Sequence, residues 1–128
     1  MLTGKKIAVI GALLSGLAIA LGAFGAHALK GLLSPERLET YHTAVSYFQW
    51  HSLVLMIVGL LFLKTKQPSF RLASITLVLG MVIFSGSLFA LIATDISLFG
   101  AITPVGGALF IGSWLLIARG LHVGLIES

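Results

Sequence analysis

The sequence predicts an all-α fold, an integral membrane four-helix bundle with both termini on the cytoplasmic side (N-in/C-in). Three observations predict it. Of 128 residues, 58% are hydrophobic and 9% charged, and the mean hydropathy is +1.10; an ordinary soluble domain carries about a quarter charged residues. The apolar residues gather into four long runs separated by short polar turns, and the basic residues lie at the ends of those runs. A soluble domain this small leaves much of its surface in water, so hydrocarbon is the solvent that accommodates this composition. One domain spanning the whole chain is expected at this length.

The first span is expected over about residues 6–28. Ile7 to Ala28 is an apolar run, flanked by Lys5, Lys6 and Lys30, and long enough to cross roughly 30 Å of hydrocarbon at about 1.5 Å per residue. Lys5-Lys6 and Ala26-His27-Ala28 imitate the ends of a secretory leader. The run exceeds the usual leader core of about 7–15 residues, so it is read as a retained span. Ala8, Ala12, Gly16 and Ala20 form a four-residue ladder of small side chains suited to close helix approach. At about 100° per residue His27 falls on the same stripe and is expected to face the bundle interior.

The second helix is expected from Pro35 to Leu63, with its span over about residues 40–63. Ser34 is a capping hydroxyl, Pro35 suits the first helical position, and Glu36 suits the positive end of the helix dipole. Lys64 to Ser69 is a polar turn, and the third span is expected over about residues 70–93, with Ser85, Gly86, Ser87 and Ala90 as its small residues. A loop is expected from Thr94 to Ile102. Thr103-Pro104 repeats the cap-then-proline pattern, so the fourth span is expected over about residues 104–120, with Gly106, Gly107, Ala108 and Gly112 available for packing. Orientation follows from the short loops. With the N-terminus inside, the inner side holds Lys5, Lys6, Lys64, Lys66, Arg71 and Arg119, and the outer side only Lys30 and Arg37, beside Glu36 and Glu39.

Several function classes are disfavoured. The net charge of +4 is scattered, with no basic stripe for nucleic acid, so the expected partner is the lipid bilayer, whose anionic headgroups meet the helix ends. Cysteine is absent, which excludes disulfides, thiolate metal sites and Cys nucleophiles. No GxSxG or HExxH pattern occurs. Gly22-Ala23-Phe24-Gly25-Ala26 imitates a nucleotide loop but ends an apolar span, and no strand precedes it. No Asp or Glu lies inside a span, against ion-coupled antiport. Bis-His haem needs two ligands at about the same depth on facing helices, whereas His27 lies near the outer end of its span and His51 about 13 Å further inward than His42. No catalytic residue, metal or cofactor is assigned.

The richest polar stretch runs from Tyr41 to Ser52. His27, His42, Tyr47, Gln49, His51 and Asp95 form the candidate functional cluster, with Glu36 and Glu39 on the same outer half. Two readings stand. Tyr41, Tyr47 and Trp50 fit an interfacial aromatic belt with hydrogen bonds between helices; alternatively, the imidazoles and carboxylates hold a divalent metal or lipid headgroup, or relay protons.

Four segments in order carry a resemblance: Gly22-Ala23-Phe24-Gly25-Ala26-His27, Tyr47-Phe48-Gln49-Trp50-His51, Phe84-Ser85-Gly86-Ser87-Leu88-Phe89 and Thr103-Pro104-Val105-Gly106-Gly107. The chain resembles the domain-of-unknown-function family 423, small bacterial inner-membrane proteins similar to the eukaryotic transmembrane protein 256. The resemblance covers nearly the whole chain. It implies four spans in the bacterial inner membrane, with no reaction, substrate or catalytic residue. Its second segment usually reads Tyr-Gln-x-x-His; here Phe48 stands at the Gln position. Gly22, Gly25, Ser85, Gly86, Ser87, Thr103, Pro104, Gly106 and Gly107 are the motif positions assigned to packing.

The expected function is a non-enzymatic membrane protein supporting membrane integrity or a complex of membrane proteins, with other membrane proteins or further copies of itself as partners. The alternative is a carrier for a small molecule, ion or lipid, using the polar half of the second helix in an oligomer.

Overall fold

The computed structural model describes residues 1–126. Helix α1 spans Gly4–Phe24 and runs on through a π-helical turn, Gly25–Leu29; α2 is Pro35–Thr65, α3 is Pro68–Thr94 and α4 is Ser97–Ile126. All four are long and apolar enough to cross a membrane.

Local chemistry sets their ends. The Thr3 hydroxyl accepts from the Lys6 backbone N–H, and the Ser34 hydroxyl from that of Arg37, each relieving an orphan donor of the first turn. Gly31, at φ +98°, turns the chain between the π turn and α2. The other two turns are near copies. Thr65 and Thr94 each donate a side-chain bond to the carbonyl four residues back and accept one from the N–H two residues on. The residue between is left-handed in both, Lys66 at φ 59° and Asp95 at φ 58°, and its N–H caps the helix just ended.

The third of these turns corrects two expectations. The loop expected from Thr94 to Ile102 shrinks to Asp95 and Ile96, and α4 begins at Ser97, so Pro104 lies inside the helix. Thr103 is no cap: its hydroxyl bonds the Phe99 carbonyl at 3.3 Å and meets the Ser87 hydroxyl at 2.6 Å. A cap-then-proline pair reads alike at a helix start and in its interior. What decides is that an irregular apolar stretch would leave peptide groups unpaired against lipid, whereas the one carbonyl freed by a proline is tolerated in membrane helices.

The helices form a row. α1 packs on α2, α2 on α3 and α3 on α4, with a lighter α2–α4 contact. The α1–α2 seam is antiparallel and close enough for backbones to touch. Added Cβ atoms at Gly4, Gly11 and Gly59 would lie 2.5 Å from Leu63 N, 2.3 Å from Met56 N and 2.4 Å from Ala8 N. Further along, Ser15 bonds Ser52 at 3.1 Å, and Gly25 makes room for the Tyr41 ring, whose hydroxyl donates to the Leu21 carbonyl at 2.5 Å.

On α1 these contacts recur at alternating spacings of four and three (Gly4, Ala8, Gly11, Ser15, Ala18, Gly22, Gly25), the coiled-coil rhythm. The expected ladder fails for that reason. A strict step of four drifts by about 40° each time, so Ala8 is in the seam while Ala12, Gly16 and Ala20 are exposed. His27 follows them out: it is exposed, not turned to the interior.

The α3–α4 seam is built likewise. A Cβ at Gly106 would sit 2.4 Å from Phe84 N, Gly80 and Gly120 accept the Phe110 and Phe70 rings, and Thr76 meets Ser113 at 2.6 Å. Phe70, Leu77, Met81 and Phe110 join Leu55 and Val58 in the main core. Between α1 and α3 the row leaves an apolar groove, lined by Leu55 and Phe48 of α2, in two stretches of ≈ 300 and ≈ 460 Å³ that share Val78.

Candidate functional site

The polar chemistry of α2 converges on His51. It lies 16 residues after Pro35 and 14 before Thr65, about 24 and 21 Å from the two helix ends, which is mid-bilayer for a spanning helix. The residue is 7% exposed, and its ring stacks on Phe110 of α4, centroids 3.6 Å apart and planes 12° from parallel. Tyr47, one turn earlier, stacks on Phe84 of α3 at 4.4 Å. Three helices thus clamp the two rings.

The hydrogen bonds assign the imidazole. Nδ1 lies 2.7 Å from the Tyr47 carbonyl, which can only accept, so Nδ1 carries the proton. Nε2 then accepts from the indole N–H of Trp114 at 3.4 Å. Two ring nitrogens with opposite roles describe a neutral imidazole. The 3.4 Å bond is long, so Nε2 is weakly engaged. Outside it opens a cleft of ≈ 340 Å³ between α2 and α4, lined by Ser46, Tyr47, Trp50, His51 and Trp114.

The remaining candidate residues do not join this site. His27, His42 and Gln49 are exposed, and His42 meets only the edge of the Tyr41 ring, at 6.2 Å. Asp95 pairs with Arg37, tying the α3–α4 turn to the start of α2. Among the described residues no three His, Asp or Glu side chains come together as a metal set. The titratable groups at that end of the bundle are therefore not gathered into one set.

Most motif positions lie at contacts between helices. Gly22 faces Val45, Gly25 faces Tyr41, and Gly106 and Gly107 face Phe84. Ser85 donates to the Ala44 carbonyl at 2.7 Å, and Ser87 is paired with Thr103. Gly86 and Pro104 are exposed, and an added Cβ at Gly86 would meet nothing within 4 Å.

Sequence reasoning missed Phe84, Phe110 and Trp114. A signal existed for the last two: Phe110 and Trp114 stand four apart on α4, as Tyr47 and His51 do on α2, and such pairs share a helix face.

Comparison with known proteins places this geometry. Residues 21–107, from the carbonyl that receives Tyr41 to the glycines beneath Phe84, match the family described as protein of unknown function (DUF423). The chain belongs to that family. It is 44% identical over 114 residues to the UPF0382 membrane protein YwdK of Bacillus subtilis (strain 168), covering 88% of this chain and 93% of that one. A UPF0382 membrane protein of Staphylococcus haemolyticus is 42% identical over 113 residues, covering 88% and 92%. No solved structure matches. The relatives' names and the four long apolar helices agree: this is a membrane protein.

Proposed function

We propose that the chain is a non-enzymatic membrane subunit that supports a complex, receiving a transmembrane helix of a second membrane protein in the groove between α1 and α3. The observation that carries this reading is the row itself. Because α1 and α3 flank α2 without closing on each other, an apolar trough extends along α2 with no ionisable side chain on its walls. Gly86 at the lip leaves space where a neighbouring helix can approach closely, as small residues do in membrane interfaces. Ser85 nearby is satisfied by Ala44, so the trough asks only for apolar contact.

A photo-crosslinking residue at Val82, on the groove wall, tests it in cells against one at Ile111, on the exposed side of α4. A discrete protein adduct from position 82 and none from position 111 is expected. Lipid adducts alone, or the same adducts from both, would sink the reading.

We also infer that the end bearing Lys5, Lys6, Lys64, Lys66, Arg71 and Arg119 faces the cytoplasm, with the protein in the bacterial inner membrane. The opposite end supports this, since the Arg37 charge there is matched by Asp95. The chain lacks cysteine, so Lys6→Cys and Lys66→Cys should label only from inside and Thr94→Cys only from outside. The reverse pattern overturns the orientation.

A further inference from the structure

The α2–α4 cleft presents hydrogen-bonding groups to the middle of the hydrocarbon, where unpaired polar groups are costly and have a functional reason first. Among the described residues the hydroxyls of Ser46 and Tyr47 have no hydrogen-bond partner, although both line the cleft and both are exposed. Trp114 supplies a third donor, committed only to the long bond with His51. The one ring acceptor, His51 Nε2, is the atom already facing that indole. The opening is therefore rich in donors, bordered by two indoles, and free of charged side chains.

That chemistry selects among molecules that reach mid-bilayer depth. A phospholipid headgroup is charged and stays at the surface, and the cleft has no ion to meet it. A plain acyl chain would leave the hydroxyls unpaired. A flat neutral ring with carbonyl oxygens satisfies both features, stacking on the aromatic rims and accepting from the hydroxyls. We propose that this cleft binds the head of a membrane-dissolved quinone, a flat dicarbonyl ring on an isoprenoid tail. The cleft volume of ≈ 340 Å³ falls in the range of small-molecule sites. The proposal is of binding alone and does not rest on the α1–α3 groove, whose walls are different.

The chain is well suited to the test. Its two tryptophans, Trp50 and Trp114, both border the cleft, so all its indole fluorescence reports from there. The protein in lipid nanodiscs is titrated with decyl-benzoquinone, with decanol as a ringless competitor. Saturable quenching is expected, unaffected by decanol. Tyr47→Phe and Ser46→Ala keep both indoles and the Tyr47 ring stack, and each should weaken the apparent affinity about three- to tenfold, the effect of one hydrogen bond. Linear, unsaturable quenching that is the same in wild type and variants would overturn the proposal. Saturable quenching relieved by decanol would overturn it too, since it would show a chain-binding slot.

Discussion

Along α2, the side facing α1 and the side facing α4 handle close quarters in opposite ways. Against α1, glycine at 11 and 59 removes the side chain altogether, the backbones touch, and the polar groups in the seam, Ser15, Ser52 and Tyr41, are paired inside it. Against α4, full-sized rings stand between the helices. His51 lies on Phe110, the Tyr47 ring lies nearly parallel to the same phenyl at 6.3 Å, and hydroxyl and indole groups are left at an open edge. The first arrangement yields rigidity from van der Waals contact, the main cohesive force available between helices in lipid. The second gives up contact and gains a lined opening. One helix thus serves as both structural partner and wall of a site.

The comparison can be broken most sharply at Gly11. Gly11→Val forces a side chain into Met56 backbone and should cost about 3 kcal/mol, the upper end for overpacking, read as a lowered melting temperature and loss of a monodisperse detergent peak. Gly16→Val, where a Cβ meets nothing within 4 Å, should stay within about 0.5 kcal/mol. Equal effects from the two would mean α1 docks through its other face. A smaller effect is expected at Ser85→Ala, which leaves the Ala44 carbonyl without its side-chain donor. Such interhelical bonds average about 0.6 kcal/mol in membranes, and a double-mutant comparison by steric-trap unfolding would resolve it. Smallest of the expected losses is Trp114→Phe. It removes the long 3.4 Å indole bond and the indole edge contact with the His51 ring and should change unfolding by about 0.5 kcal/mol, the low end for a hydrogen bond. A large loss there would show the cleft to be a structural seam like the first.

The four helices were legible because hydrocarbon thickness demands long apolar runs, and nothing else in a short chain produces them. Ser34-Pro35 also marked the start of α2 correctly, through chemistry confined to one turn. The α1 seam was not legible. In water the buried face of a helix contrasts with a polar one, whereas here both faces are apolar and both carry small residues. Ala12, Gly16 and Ala20 look as suitable as Gly4, Gly11 and Gly25, and only the partner's shape distinguishes them. The site was half legible for a related reason. Tyr47 and His51 stood out as polar residues in an apolar run, but Phe84, Phe110 and Trp114, which hold them, look like ordinary membrane side chains. His27, His42 and Asp95 share a depth in sequence, and depth says nothing about which side of a helix a residue occupies.

The linear order of the helices bears on how the protein is made. Each large interface joins an element to the one just before it in the chain, so the search for partners is local and fast at every stage. During synthesis, which delivers the N-terminal part first, α1 and α2 can dock while α3 is still emerging, and α4 arrives to a prepared surface. Only then does Trp114 reach His51. The cleft is the last part of the molecule to exist, and a chain that has it has already assembled everything else.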